Sequence, residues 1–282
     1  MERSTTAPTL FVQTPGETYA YRRLGAGTGP PLLCLQHFTG TLDNWDPAVI
    51  DALAFEREII LFDSAGIGRS TGTVPNTIAG MAAHACSFVD ALDVGRVDIL
   101  GFSLGGMVAQ QMAAERPKTV RKMILAGTAP EGGEEIMQVD APALKSIFEH
   151  FAGYDRLARL FFTRSEAGVA SAEAFVSRLQ ERRTDREPAP ASGVVPAQLA
   201  AFRAWESYDG ERFKKLGRIR QSCLVVHGVR DLMIPVKNAY MLAERVANAT
   251  LVVYPDAGHG ALFQYHRSFV TQVRLFLNAE LA

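Results

Sequence analysis

Three cysteines, two tryptophans and six histidines are all that 282 residues hold of these rarer side chains. Cys34, Cys86 and Cys223 stand far apart, which excludes a disulfide framework and a cluster of zinc-binding thiolates. They read as buried free thiols, two of them in strand-like runs. Charge of one sign is also missing. Twenty-nine Lys and Arg against thirty Asp and Glu leave a formal net charge of -1, so neither nucleic acid nor an anionic membrane is an expected partner. No apolar run approaches the roughly 18 residues that span a bilayer. The opening MERSTTAPTLF has neither the basic nor the apolar region of a secretory signal. A cytoplasmic location follows as the expectation. No His, Cys, Asp or Glu cluster has metal-ligand spacing, so no metal or other cofactor is expected. What is present, 48% apolar and 21% charged residues, is ordinary globular material, enough for one large α/β domain with an insertion.

Along the chain, apolar strand-like runs alternate with helical patterns. Residues 9–22 read as two short strands joined at Pro15-Gly16, and strands are predicted at Leu32 to Gln36, Glu58 to Phe62, Val97 to Leu100 and Val120 to Leu125. Between them lie helical stretches that open at Asn44-Trp45-Asp46-Pro47, at Ile78 and at Leu104. That alternation predicts a parallel sheet covered on both faces. It breaks near Pro130. From Glu131 to Leu216 only helical patches occur: Leu144 to Phe162, Ala170 to Arg183 and Gln198 to Tyr208. Strands resume at Ser222 to His227 and at Thr250 to Tyr254, and an amphipathic helix carrying Phe263, Phe269, Val273, Phe276 and Leu277 closes the chain. The implied organisation is a core of residues 1–130 and 217–282 with a helical cap at 131–216.

Chemistry concentrates at Gly101-Phe102-Ser103-Leu104-Gly105-Gly106. One serine sits on a strand-to-helix turn, with small residues where the chain passes too close for a Cβ. The helix that follows aims free N–H groups at whatever forms beside Ser103. A serine hydroxyl needs a base, and the base needs an orienting acid. Reactive side chains on an open parallel sheet gather at the carboxyl ends of its strands. The run ending at His227 empties into Gly228 to Pro235, where Asp231 is the only acid. The run ending at Tyr254 empties into Pro255-Asp256-Ala257-Gly258-His259-Gly260, which puts His259 in a glycine-flanked loop. His84 and His150 lie in helical patches, His266 in the last helix, and Asp256 reads as a turn residue. His37 and His227 also stand near strand ends, and His227 is placed to touch the network. Gly66-Ile67-Gly68 lacks the spacing of a dinucleotide fingerprint and reads as a turn.

Taken in order, Gly101 to Gly106, the Gly228-to-Pro235 acid loop, Gly258-His259 and the D-x-x-G-x-G-x-S stretch Asp63 to Ser70 resemble the α/β-hydrolase superfamily over essentially the whole chain. The likeness is greatest to its esterase-like branch, with cofactor-free haloperoxidases, perhydrolases and carbon–carbon bond hydrolases. The resemblance implies a mostly parallel eight-stranded sheet. It also implies an oxyanion hole from the backbone N–H groups of Phe38 and Leu104. Where the family usually has His-Gly ahead of the Phe38 position, this chain has Gln36-His37.

The expected activity is hydrolysis of a small, largely apolar ester, lactone or related acyl compound, with Ser103 as nucleophile, His259 as base and Asp231 as its orienter. Phe102, Met107 and Trp205 are the candidate pocket residues. Carbon–carbon bond hydrolysis or perhydrolysis on the same three residues is the alternative, and a small-molecule receptor on the same fold is the non-enzymatic one. The expected partner is a small-molecule substrate, and a homodimer is compatible with the composition.

Overall fold

A computed structural model describes residues 2–27 and 29–279; Met1, Thr28 and residues 280–282 lie outside the described set. Eight strands form one sheet: β1 (Leu10–Gln13), β2 (Thr18–Leu24), β3 (Leu32–Leu35), β4 (Ile59–Phe62), β5 (Val97–Phe102), β6 (Val120–Ala126), β7 (Ser222–Gly228) and β8 (Ala249–Tyr254). Their order is β1-β2-β4-β3-β5-β6-β7-β8. The two pairings that involve β2 are antiparallel, and every other one is parallel. Strands β3 to β5 are buried along their whole length. Sheets covered on both faces require such continuous apolar runs, LLCL and IILF among them.

Among the described residues ten α-helices accompany the sheet. In the first part of the chain these are α1 (Pro47–Ala54), α2 (Ile78–Ala91) and α3 (Leu104–Glu115). The segment between β6 and β7 carries α4 (Pro142–His150), α5 (Gly153–Phe161), α6 (Glu166–Leu179) and α7 (Val194–Ser207), and the last part carries α8 (Lys237–Arg245), α9 (Ala261–Gln264) and α10 (His266–Asn278). Helices α2 and α3 pack on each other, as do α1 and α10. Lys122 of β6 is buried because its ammonium donates to the carbonyls of Phe276 (2.8 Å) and Ala279 (2.7 Å) at the C-terminal end of α10. A cation placed there complements the helix dipole.

The helical segment is tied to the core by charge as well as by packing. Asp46 accepts the Ala48 N–H at the start of α1 and takes both Nε and Nη2 of Arg178 from α6 at 2.7 Å. A second knot lies nearby. Arg22 of β2, almost wholly buried, reaches Asp43 (2.8 Å) and Glu187 (3.3 Å), the latter from the stretch between α6 and α7. Asp63, which follows β4, faces the same Glu187. A Cβ on Gly68 would collide with Asp63 Oδ2 and come within 2.8 Å of Glu187 Oε2.

Several boundaries differ from the sequence expectation. Leu144 to Phe162 is not one helix: Phe151 and Ala152 are extended and Gly153 has φ +54°, so α4 and α5 meet at a bend. The closing helix is divided at Tyr265, which puts Phe263 in α9 and makes His266 the first residue of α10 instead of one a turn further in. Helix α8 arises directly after the Asp231 loop, where no helix was predicted.

Candidate active site

Ser103 occupies the sharp turn between β5 and α3 with φ +56° and ψ −117°, a conformation that a non-glycine residue pays of order 1–3 kcal/mol to hold. Its backbone is pinned on both sides to offset that cost. The Ser103 N–H donates to the Ala126 carbonyl on β6 (2.8 Å), and its own carbonyl accepts from Thr128 Oγ1 (2.8 Å) and the Gly106 N–H (2.9 Å). A Cβ on Gly105 would come within 2.5 Å of the Leu35 carbonyl carbon at the end of β3, so only glycine lets α3 start this close to the sheet.

Two strands away in the sheet β7 delivers Asp231, and three strands away β8 delivers His259. Asp231 Oδ1 accepts the N–H groups of Met233 (2.8 Å) and Ile234 (2.9 Å), and Oδ2 accepts His259 Nδ1 at 2.7 Å. His227 Nε2 lies 3.1 Å from the same Oδ2 and 2.8 Å from the Ile234 carbonyl. Facing two acceptors, that nitrogen carries the proton. Burial alone would push the Asp231 carboxyl up; His259 and the hydrogen bonds from both imidazoles outweigh it and hold the group well below the usual carboxylate range. An ionised Asp231 at Nδ1 fixes the His259 tautomer, leaving the Nε2 lone pair available to act as a base. Ser103 and His259 have no exposure to solvent, and neither Ser103 Oγ nor His259 Nε2 has a hydrogen-bond partner among the described residues.

Beside Ser103, strand β3 ends in the Gln36–Gly40 turn. The Gln36 side chain stitches it, accepting the His37 N–H (2.9 Å) and donating to the Thr41 carbonyl (3.2 Å). Gln198 of α7 accepts the Thr39 N–H at 2.7 Å, while Thr39 itself has φ +60°. The Phe38 and Leu104 N–H groups bond to no acceptor among the described residues. His37 is buried with its Nδ1 on the Phe38 carbonyl (2.8 Å). Burial pushes its pKa down to about 3 against the pull of that carbonyl, so the ring stays neutral.

Aromatic rings wall the site. Phe102 lies 5.1 Å from the His259 ring between centroids and Phe161 of α5 lies 5.8 Å from it, with Phe263 against both phenyl groups. Of the other sequence candidates, Met107 is fully buried in α3, and Trp205 donates Nε1 to the Ala129 carbonyl (3.2 Å) under the Lys215 ammonium. Asp256 accepts from Ser165 (2.6 Å), away from the His259 ring nitrogens. An inner cavity of about 120 Å³ adjoins His37, Phe38, Phe161 and Met233. The role of Gln198 carries no sequence signal because its partner, the Thr39 N–H, is brought by another element; Arg156 also lines that cavity. Among the described residues no three His, Cys, Asp or Glu side chains are placed to share a metal, and no helix is long and apolar enough to cross a membrane.

Against known proteins, residues 30–264 match the family model for the alpha/beta hydrolase fold. The chain belongs to the α/β-hydrolase family. A 2-hydroxy-6-oxo-2,4-heptadienoate hydrolase of Pseudomonas putida is 28% identical to this α/β hydrolase, over 90% of this chain and 91% of that one. A poly(3-hydroxyalkanoate) depolymerase of Ectopseudomonas oleovorans is 29% identical over 89% and 85% respectively. Among solved structures, an alpha/beta hydrolase fold protein from Chitinophaga pinensis superposes with a TM-score of 0.92 at 38% identity, covering 99% of this chain and all of the other. As an α/β hydrolase the protein is an enzyme, with relatives named as hydrolases, a depolymerase and an esterase.

Proposed function

We propose that the protein is a serine hydrolase acting on a small, largely apolar ester, lactone or related acyl compound. The observation that carries this reading is the 2.7 Å contact of a buried Asp231 carboxylate with His259 Nδ1, which leaves His259 Nε2 unpartnered, as is the equally buried Ser103 Oγ. In the reaction, His259 takes the Ser103 proton as Oγ adds to the substrate carbonyl, and Asp231 stabilises the imidazolium. The Phe38 and Leu104 N–H groups hold the tetrahedral oxyanion, each worth about 3 kcal/mol where such donors have been removed. Protonated His259 then gives its proton to the leaving alcohol. Water, deprotonated by the same ring, releases the acid and restores Ser103.

Residues 131–216 act as the cap of this site: Phe161 presses on the His259 ring and Gln198 holds the oxyanion turn. A cytoplasmic place and a small-molecule partner fit the sequence expectations. Replacing Ser103 by Ala is expected to abolish both turnover of p-nitrophenyl esters and covalent labelling by a fluorophosphonate. Turnover persisting in Ser103→Ala would overturn the proposal. The relative named for a dienoate substrate favours carbon–carbon bond cleavage as the second reading. Faster turnover of a vinylogous diketone than of simple aryl esters would select it.

A further inference from the structure

The inner cavity has one charged wall. Apart from Arg156 of α5, the neutral His37 and Thr39, its lining is apolar, with Phe38, Phe148, Phe161 and Met233 prominent. Arg156 is half-buried, and among the described residues no carboxylate forms an ion pair with it. Its orientation is nonetheless fixed. Nε donates to the Phe151 carbonyl (2.7 Å), Nη2 to the Phe148 carbonyl (3.3 Å), and the guanidinium lies 5.2 Å from the centre of the Phe148 ring. Those two bonds leave Nη1 without an acceptor among the described residues. An outer groove of about 460 Å³ shares Thr39, Arg156 and Leu157 with the inner cavity, so a molecule passing from one to the other passes this cation. The other charged residues of the groove, Asp43, Arg186 and Glu187, are engaged in ion pairs of the knot that ties this segment to the core.

Resting on the proposed hydrolysis, we infer that Arg156 is a specificity-determining residue that binds a carboxylate at the far end of the acyl chain, so that the preferred substrates are monoesters of short dicarboxylic acids. An arginine in an apolar, partly dry cavity attracts a carboxylate far more strongly than a surface lysine does, because the pair is less screened and the fork of donors matches the carboxylate oxygens. The same cavity is lined by Phe38 of the Gln36–Gly40 turn and by Phe161, which packs on the His259 ring, so an acyl carbonyl held at that turn and a carboxylate on the guanidinium can belong to one short chain.

The competing explanation is that Arg156 only satisfies carbonyls at the C-terminal end of α4. The two differ in what substitution does to selectivity. The probes are p-nitrophenyl monoesters of the C4 to C8 diacids, each compared with its ω-amide, which has the same length and no charge, after subtraction of spontaneous hydrolysis. Expected for the wild type is a kcat/KM at least tenfold higher for the acid than for the amide at the best-fitting length. Arg156→Gln is expected to erase that preference while keeping rates on the amides within about threefold, and Arg156→Lys to restore part of it. A wild type indifferent to the charge at every length overturns the inference. So does an Arg156→Gln protein that slows on acids and amides alike with an unchanged ratio. Calorimetry on Ser103→Ala with the monoamide of adipic acid, which carries one carboxylate, and with the uncharged diamide separates this from failure of the serine mechanism: tighter monoamide binding that disappears in Ser103→Ala/Arg156→Gln upholds the anionic subsite whatever the fate of Ser103, and equal binding of the two refutes it.

Discussion

Gly105→Ala adds one carbon where the start of α3 presses on β3, beneath the proposed nucleophile Ser103. The new Cβ would sit 2.5 Å from the Leu35 carbonyl carbon and 2.9 Å from the Leu35 Cβ, with the carbonyl oxygen closer still. Carbon atoms in good contact are about 3.5–4.0 Å apart, so the first turn of α3 must retreat by about 1 Å from β3. No flexible side chain end can yield instead, because the obstruction is the backbone of a central strand. Overpacking of this kind costs about 1–3 kcal/mol of stability, which at roughly this size lowers the melting midpoint by ~2–4 °C per kcal/mol. Activity is expected to suffer more. The Leu104 N–H rides on that turn, and a 1 Å misplacement in a catalytic constellation costs about 100-fold. The assay is kcat/KM on a p-nitrophenyl ester well below the melting midpoint, beside thermal unfolding. Gly217→Ala is the control: its Cβ meets nothing within 4 Å, and both readouts are expected to match the wild type. A Gly105→Ala enzyme with kcat/KM within twofold of wild type and an unchanged midpoint would refute the geometric argument.

Two further outcomes are expected. Asp231→Asn keeps a group that accepts from Met233 and Ile234 but no longer holds His259 in its base tautomer, so kcat is expected to fall about 10⁴-fold while far-ultraviolet circular dichroism stays native. The second concerns the buried acids that join core and helical segment. Burial first, and then the facing Glu187, raises the Asp63 carboxyl well above its ordinary range; burial likewise raises Glu187. The folded state therefore holds protons that the unfolded chain gives up from about pH 4 upward. This contribution to stability is complete in acid and is lost as pH rises through the folded-state values. Asp63→Asn mimics the protonated form, and its unfolding midpoint in urea is expected to fall less with rising pH than that of the wild type. Parallel curves for the two proteins would count against a shared proton.

What was legible in the sequence follows from how local each feature is. Strand and helix runs with one strong period, such as IILF and the Ala- and Met-rich stretch from Leu104 to Glu115, carry their own signal, and α3 lies at the predicted residues. The α/β alternation brings Ser103, Asp231 and His259 to the same edge of the sheet although 156 positions separate the first from the last. Features created by a meeting of distant segments were not legible. The bend between α4 and α5 depends on Gly153 adopting φ +54°, which its neighbours in sequence do not announce. Helix α8 is short and begins two residues after Pro235, so it reads as more of the loop. The second imidazole on Asp231 became definite only when the turn brought the Ile234 carbonyl to the same nitrogen. Gln198 acts on a backbone N–H 159 residues away.

A serine and a histidine that solvent cannot touch describe a resting enzyme with its door shut. A substrate reaches them only when the packing over them, Phe161 included, opens, and the pause before that opening is a property of the protein alone. Raising the concentration of a small covalent inhibitor should therefore hasten its capture only up to a plateau, whose height is the frequency of opening.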